Sequence, residues 1–160
     1  MTNKFSEKGQ SILEVMIALA AATIIITAIV AAVISALSNE QFSIGQNQAT
    51  QFAQEGLDSM RNLSQTDWNT FVNYPQYNCL GKNETIPTQR SGTICPENMD
   101  TGSFIREIWI ESNSCTSPTP PSLLNTKVTS VVKWADGKCM GAGDEQYCHK
   151  VELISCYFRP

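Results

Sequence analysis

Between Val15 and Leu37 the chain runs for 23 residues without a charge, a glycine or a proline. As a helix at ~1.5 Å per residue this stretch reaches about 34 Å, enough for the ~30 Å hydrocarbon core of a bilayer. The run Ile12-Leu13-Glu14-Val15-Met16-Ile17-Ala18-Leu19-Ala20-Ala21-Ala22 opens it and is apolar around the whole helix apart from Glu14. Such a helix needs lipid or other helices around it. Lys4 and Lys8 precede it, as expected for a cytoplasmic start. From Ser38 onward the chain is polar and rich in Asn, Gln, Ser and Thr. A plain cytosolic globule is therefore excluded in favour of an apolar handle on a soluble head. Lys and Arg number 11 against 15 Asp and Glu, so no basic field points to nucleic acid as the main ligand.

Three readings of the apolar segment compete. A cleaved secretory signal has a core of only ~7–15 residues, much shorter than this run. A plain membrane anchor accounts for the length but not for Glu14, a lone carboxylate at the front. An acidic residue mid-span costs roughly 2.5–3.5 kcal/mol. Near a helix start the cost falls, because the macrodipole favours negative charge there. The third reading gives Glu14 a cation. Cleavage after Gly9 would make Gln10 a new amino terminus, one helical turn from Glu14 of the same chain or of a neighbour. Among packed apolar helices that pair would be weakly screened and would set axial register.

The residues Lys8-Gly9-Gln10-Ser11-Ile12-Leu13-Glu14-Val15-Met16-Ile17-Ala18 resemble the prepilin signature of type IV pilins and pseudopilins. Four features coincide at fixed offsets: a short basic leader, a Gly before the cut, a Glu as fifth mature residue, and an uninterrupted apolar run. The resemblance covers about the first 30 residues. It implies that a membrane prepilin peptidase cleaves between Gly9 and Gln10 and methylates the new amine. It further implies an inner-membrane assembly platform and other pilin subunits as partners, and membrane lipid before assembly. Gln10 stands where the family most often has Phe, and no proline occurs before Pro75. The missing helix breaker leans towards a minor pilin or a pseudopilin.

The helix is expected to continue past the membrane, from Ser11 to about Leu63. Phe42, Ala49, Phe52, Ala53, Gly56, Leu57, Met60 and Leu63 recur at threes and fours as one apolar stripe. Gly45 and Gly56 each weaken the helix by about 1 kcal/mol and point to bending or close packing. Thr66-Asp67-Trp68 reads as a capped turn, with Trp68 and Phe71 plugging the end of the core. Asn73 to Gly102 reads as loop. Strands are expected at Phe104–Glu111, Thr126–Trp134 and Gln146–Phe158, with Phe104, Arg106, Ile108 and Ile110 on one face of the first. Ser112–Ser122 is a Ser/Thr/Pro loop, and Asp136-Gly137 a turn. Strands joined by loops favour an antiparallel sheet, so the fold class is α+β: one long helix, membrane-spanning first and amphipathic later, packed on a small sheet. The resemblance implies the same architecture as a pilin-like roll. The division is 1–9 leader, 10–37 transmembrane or filament-core helix, and 38–160 head.

Cys79, Cys95, Cys115, Cys139, Cys148 and Cys156 all follow the apolar segment. An even number on the exported side indicates an oxidising compartment and up to three disulfides. Proximity in sequence favours Cys79–Cys95 and Cys139–Cys148, leaving Cys115–Cys156, although fifteen connectivities are open. A metal site is the alternative use of these residues, but there is no Cys-x-x-Cys, and the one histidine, His149, adjoins Cys148. Asp136, Asp144 and Glu145 flank a Gly-rich turn and are the weak candidates for calcium. Asn62-Leu63-Ser64 and Asn83-Glu84-Thr85 match the glycosylation pattern. No phosphate loop, Ser/His/Asp set or catalytic carboxylate pair is present, so no enzyme and no cofactor is expected.

Function thus reads first as a structural subunit of a type IV pilus-like filament, held in the membrane as a precursor and then displayed at the cell surface. Gly9 and Gln10 form the processing site and Glu14 the assembly residue. The disulfide-rich head and long loops favour a surface pilus over a pseudopilin of a secretion or DNA-uptake system. The rival of another class is a membrane-tethered extracellular binding domain. A thiol or metal enzyme is the third possibility.

Overall fold

In the computed structural model the described residues are 8–92, 95, 96, 99, 104–115, 125–136, 139 and 147–159, with side chains from Ile12 onward. The chain divides into two units, Met1–Ser43 and Ile44–Pro160. Helix α1, Lys8–Thr66, supplies the described part of the first unit and opens the second. It runs slightly beyond the Ser11–Leu63 span read from the sequence, because no proline interrupts it and Thr66 still back-bonds its hydroxyl to the Asn62 carbonyl at 2.9 Å.

Within the first unit every side chain from Ile12 to Leu37 is exposed. The hydroxyls of Thr23 and Thr27 donate to the helix carbonyls of Ala20 and Thr23 at 2.8 and 3.0 Å. That internal bonding satisfies the two threonine hydroxyls of the run, as a lipid-facing helix requires.

The second unit is α+β. Asp67 caps the short helix α2 (Trp68–Val72), accepting the Thr70 N–H. Trp68 and Phe71 are buried beneath it, as expected for the core plug. Five antiparallel strands follow: β1 (Tyr77–Cys79), β2 (Thr88–Gln89), β3 (Phe104–Ser112), β4 (Asn125–Trp134) and β5 (His149–Phe158). Their order across the sheet is β2-β1-β3-β4-β5. The three long strands lie where the sequence places them, and Gln146, read as the start of the last, is outside the described residues. Asn73–Gly102 is not loop throughout. The three residues of β1 pair with β3, Asn78 opposite Ile108, and β2 pairs onto β1. Segments this short carry no periodicity of their own; the edge that β3 offers recruits them.

The helical stripe of the second unit packs on this sheet. Ala49, Ala53, Gly56 and Met60 are buried, and Phe52 meets Phe104 edge-on at 5.4 Å. A Cβ on Gly56 would sit 2.7 Å from Ser130 Oγ and 3.1 Å from Arg106 Cδ and Ile108 Cδ1. Gly56 therefore serves close approach. The core joins Met60, Trp68, Phe71, Leu80, Ile108, Ile110, Val128 and Tyr157. β3 is buried on both faces: Arg106 and Ile108 turn towards the helix, while Ile105 and Glu107, which alternate with them, are also fully buried.

Candidate functional site

The processing and assembly residues fall in the first turns of α1. Gly9 and Gln10 belong to its backbone, and the Gln10 side chain lies outside the described part. Glu14 is exposed and lines a shallow groove with Leu13, Ile17, Ala18 and Ala21. Positions 14, 17, 18 and 21 share one helix face. The two alanines leave room beside the carboxylate for another helix to approach. Among the described side chains none forms an ion pair with Glu14, so on this helix the carboxylate stands among apolar neighbours.

The head is closed by three disulfides: Cys79–Cys95, Cys115–Cys156 and Cys139–Cys148. These are the pairs that sequence proximity favours. Cys79–Cys95 fastens residue 95 to β1, and Cys115–Cys156 joins the segment just after β3 to β5 across 41 residues of sequence. A loop of that length is expected to gain about 4 kcal/mol from closure, in the chain-entropy account. Of the calcium candidates, Asp144 and Glu145 lie outside the described residues. Asp136 does not stand alone as an acidic group: its Oδ1 is 3.1 Å from His149 Nε2. Of the glycosylation candidates, Asn62 sits in the last turns of α1, and Asn83 is exposed in a turn with φ 61°.

Two buried charges on β3 escaped the sequence reading as a site. Arg106 is 1% exposed. Its guanidinium donates to the Phe52 carbonyl of α1 at 2.8 Å, and to the Leu80 and Gly81 carbonyls at 3.0 and 2.6 Å. The Phe52 carbonyl is reachable because residue 56, one turn on, carries no side chain. Glu55 stands 3.7 Å away. Burial lowers the Arg106 pKa from the ordinary arginine value, and Glu55 and Glu84 oppose that. Three carbonyl acceptors and two nearby carboxylates make Arg106 a clamp between the helix and the loop after β1.

Its neighbour Glu107 is fully buried towards the other face, 3.1 Å from Lys133 Nζ and 3.5 Å from Arg90 Nη1. Neither contact is aligned as a hydrogen bond, so the attraction is chiefly Coulombic. Arg90 also lies over the Tyr77 ring at 4.8 Å. The signal for both residues was the Arg-Glu pair inside an otherwise apolar strand, Phe104-Ile105-Arg106-Glu107-Ile108-Trp109-Ile110. These residues are structural: each contacts backbone or an opposite charge within the head.

Comparison with protein-family models, with curated proteins and with solved structures finds no match to this chain. The functional reading therefore rests on the N-terminal segment and on the architecture of the head.

Proposed function

We propose that this chain is a structural subunit of a type IV pilus-like filament. The observation that carries the reading is the apolar helix itself: every side chain from Ile12 to Leu37 is exposed, with one carboxylate, Glu14, five residues after Gly9. A helix exposed in this way has no stable existence in water, because ~25 cal/mol is lost for each Å² of apolar surface left wet. Lipid covers it before assembly, and like helices cover it afterwards. Cleavage after Gly9 frees the Gln10 amine, and that ammonium from a neighbouring subunit neutralises Glu14 in the groove beside Ala18 and Ala21. The remainder is a pilin-like roll, supported by the amphipathic second half of α1 against an antiparallel sheet. Chemistry is done to this protein by a prepilin peptidase, and the assembly platform then feeds it into the filament.

Mass spectrometry of the chain extracted from its native membrane tests the reading. The expected result is an amino terminus at Gln10, methylated, with three disulfides. A chain that retains its first nine residues would instead be a tethered ectodomain. Glu14→Ala is expected to leave insertion and cleavage intact and to abolish entry into filaments; normal incorporation of that variant removes the assigned role.

A further inference from the structure

At the open end of the β4–β5 pair, four side chains of metal-ligand type converge. Asp136 follows β4 by two residues, Cys139 stands three positions further on, Cys148 immediately precedes β5 and His149 opens it. One ligand atom from each of the four lies within 4.8 Å of all the others, and all four residues are half-buried. Among the described residues no second group of three such ligands occurs, and His149 is the chain's one histidine.

The sheet holds this corner in place. His149 pairs across the strands with Trp134, and the two rings lie 5.3 Å apart at 33°. That packing aims Nε2 at Asp136 Oδ1, 3.1 Å away. Asp136 and Cys139 are tied to each other: the Cys139 N–H donates to the Asp136 carbonyl at 3.1 Å, and the Asp136 N–H donates to Cys139 Sγ at 3.3 Å. A backbone N–H aimed at sulfur stabilises a thiolate as well as it packs against a disulfide. Cys139 Sγ is also 3.8 Å from Asp136 Oδ1.

We propose that this corner is a redox-gated zinc site. In the oxidised chain the Cys139–Cys148 disulfide closes the hairpin and its sulfurs are not available as thiolates. A dithiol reductant delivers two electrons and two protons: the S–S bond breaks, two thiols form, and the dithiol becomes a disulfide. Zn²⁺ then displaces the two thiol protons and binds both sulfurs, His149 Nε2 and an Asp136 oxygen. Two thiolates, an imidazole and a carboxylate make a four-coordinate donor set that zinc accepts, with bonds of ~2.0–2.3 Å. A tetrahedral shell of that size sets its donors within ~4 Å of one another, so the two sulfurs part once the S–S bond is broken, while the other donors, already within 4.8 Å, draw in. The hairpin end is thereby cross-linked in both states, covalently when oxidised and by metal when reduced. Neither of the other disulfides has an imidazole in reach to do the same.

The test uses the full chain in detergent micelles, reduced with a phosphine, freed of excess reductant and given Zn²⁺ alone. Alkylation of each cysteine is then followed by mass spectrometry. Zn²⁺ is expected to slow modification of Cys139 and Cys148 by at least ~10-fold, the scale of loss known even for outer-shell partners of a metal, and to leave the other four unprotected. His149→Gln and Asp136→Asn are expected to lose the protection, and His149→Cys to keep it. With Co²⁺ as probe, the reduced chain is expected to give the intense visible bands of tetrahedral coordination, and the oxidised chain none. Equal reactivity of all six cysteines with and without Zn²⁺ overturns the proposal in the unmutated chain. So does protection that survives both His149→Gln and Asp136→Asn, or cobalt binding by the oxidised chain.

Discussion

The two parts of helix α1 use similar residues to opposite ends. From Ile12 to Leu37 alanine, isoleucine and valine face outward on every side, with Ile24 69% exposed. From Ile44 to Thr66 the apolar residues are fewer, yet Ala49, Ala53 and Met60 are completely buried against the sheet. Apolar content alone therefore does not locate the core. The second part buries a stripe because polar residues confine its apolar surface to one face. The first has no such confinement and must be covered by something outside the chain. The head is expected to be stable on its own terms, while the N-terminal segment is stable only in lipid or among other helices.

The hardest test of that separation is Arg106→Met. It strips three donors from buried carbonyls while keeping a side chain of similar length. A loss of at least about 3 kcal/mol is expected, because the carbonyls of Phe52, Leu80 and Gly81 lose their donor and each buried acceptor left unsatisfied costs about 1–3 kcal/mol. Urea unfolding of the head should register it, and membrane retention should not change. An unaltered unfolding midpoint would refute the clamp.

Next in size is the reverse experiment, Ile25→Lys. The lysine costs roughly 2.5–3.5 kcal/mol at the centre of a spanning helix. Membrane fractionation should show a shift to the soluble or degraded pool. The head's thermal midpoint, measured on what remains, should stay where it was. If both variants disturb both readouts, the two regions are not energetically separate.

Gly56→Ala sharpens the comparison within α1. Helix propensity alone would favour alanine by about 1 kcal/mol, but the new methyl meets Ser130 Oγ at 2.7 Å. Overpacking of this kind costs about 1–3 kcal/mol, so a net lowering of the thermal midpoint is expected.

The smallest expected effect is at the α2 cap. The Asp67 pKa is lowered from 3.8 by the Thr70 hydroxyl first and the Thr70 N–H second. A depressed folded-state value means the cap contributes above the unfolded value and is lost as pH falls through the folded one. A modest decline in thermal midpoint is expected on acidification below 3.8, and Asp67→Asn should flatten it. Glu111, lowered by its hydrogen bond to Lys127, adds to the decline in the same direction.

Much of this architecture was legible because its signals are local. The apolar run, the stripe at threes and fours and the three long strands each repeat with a period that a short window contains. The Asp67 cap and the plug formed by Trp68 and Phe71 were legible for the same reason. The strands β1 and β2 were not, since two or three residues carry no period and pair only because β3 has a free edge. Arg106 was legible as a member of one strand face, with Phe104, Ile108 and Ile110, but not as a clamp: its acceptors come from residues 52, 80 and 81, remote from it in sequence. Of the acidic turn candidates, Asp136 proved to face His149, a residue brought to it by strand pairing.

Composition and spacing alone determined that this chain has an apolar helix leading into a disulfide-bearing α+β head, because helix length, amphipathic period and cysteine parity are properties of the chain itself. Tertiary structure decided what meets across the sheet. It chose one cysteine pairing from fifteen, made Gly56 a point of contact, buried Arg106 and Glu107 on opposite faces of one strand, and drew Asp136, Cys139, Cys148 and His149 into a single corner. The physical reason is distance along the chain: these contacts join residues whose separation carries no local preference and whose meeting depends on strand register.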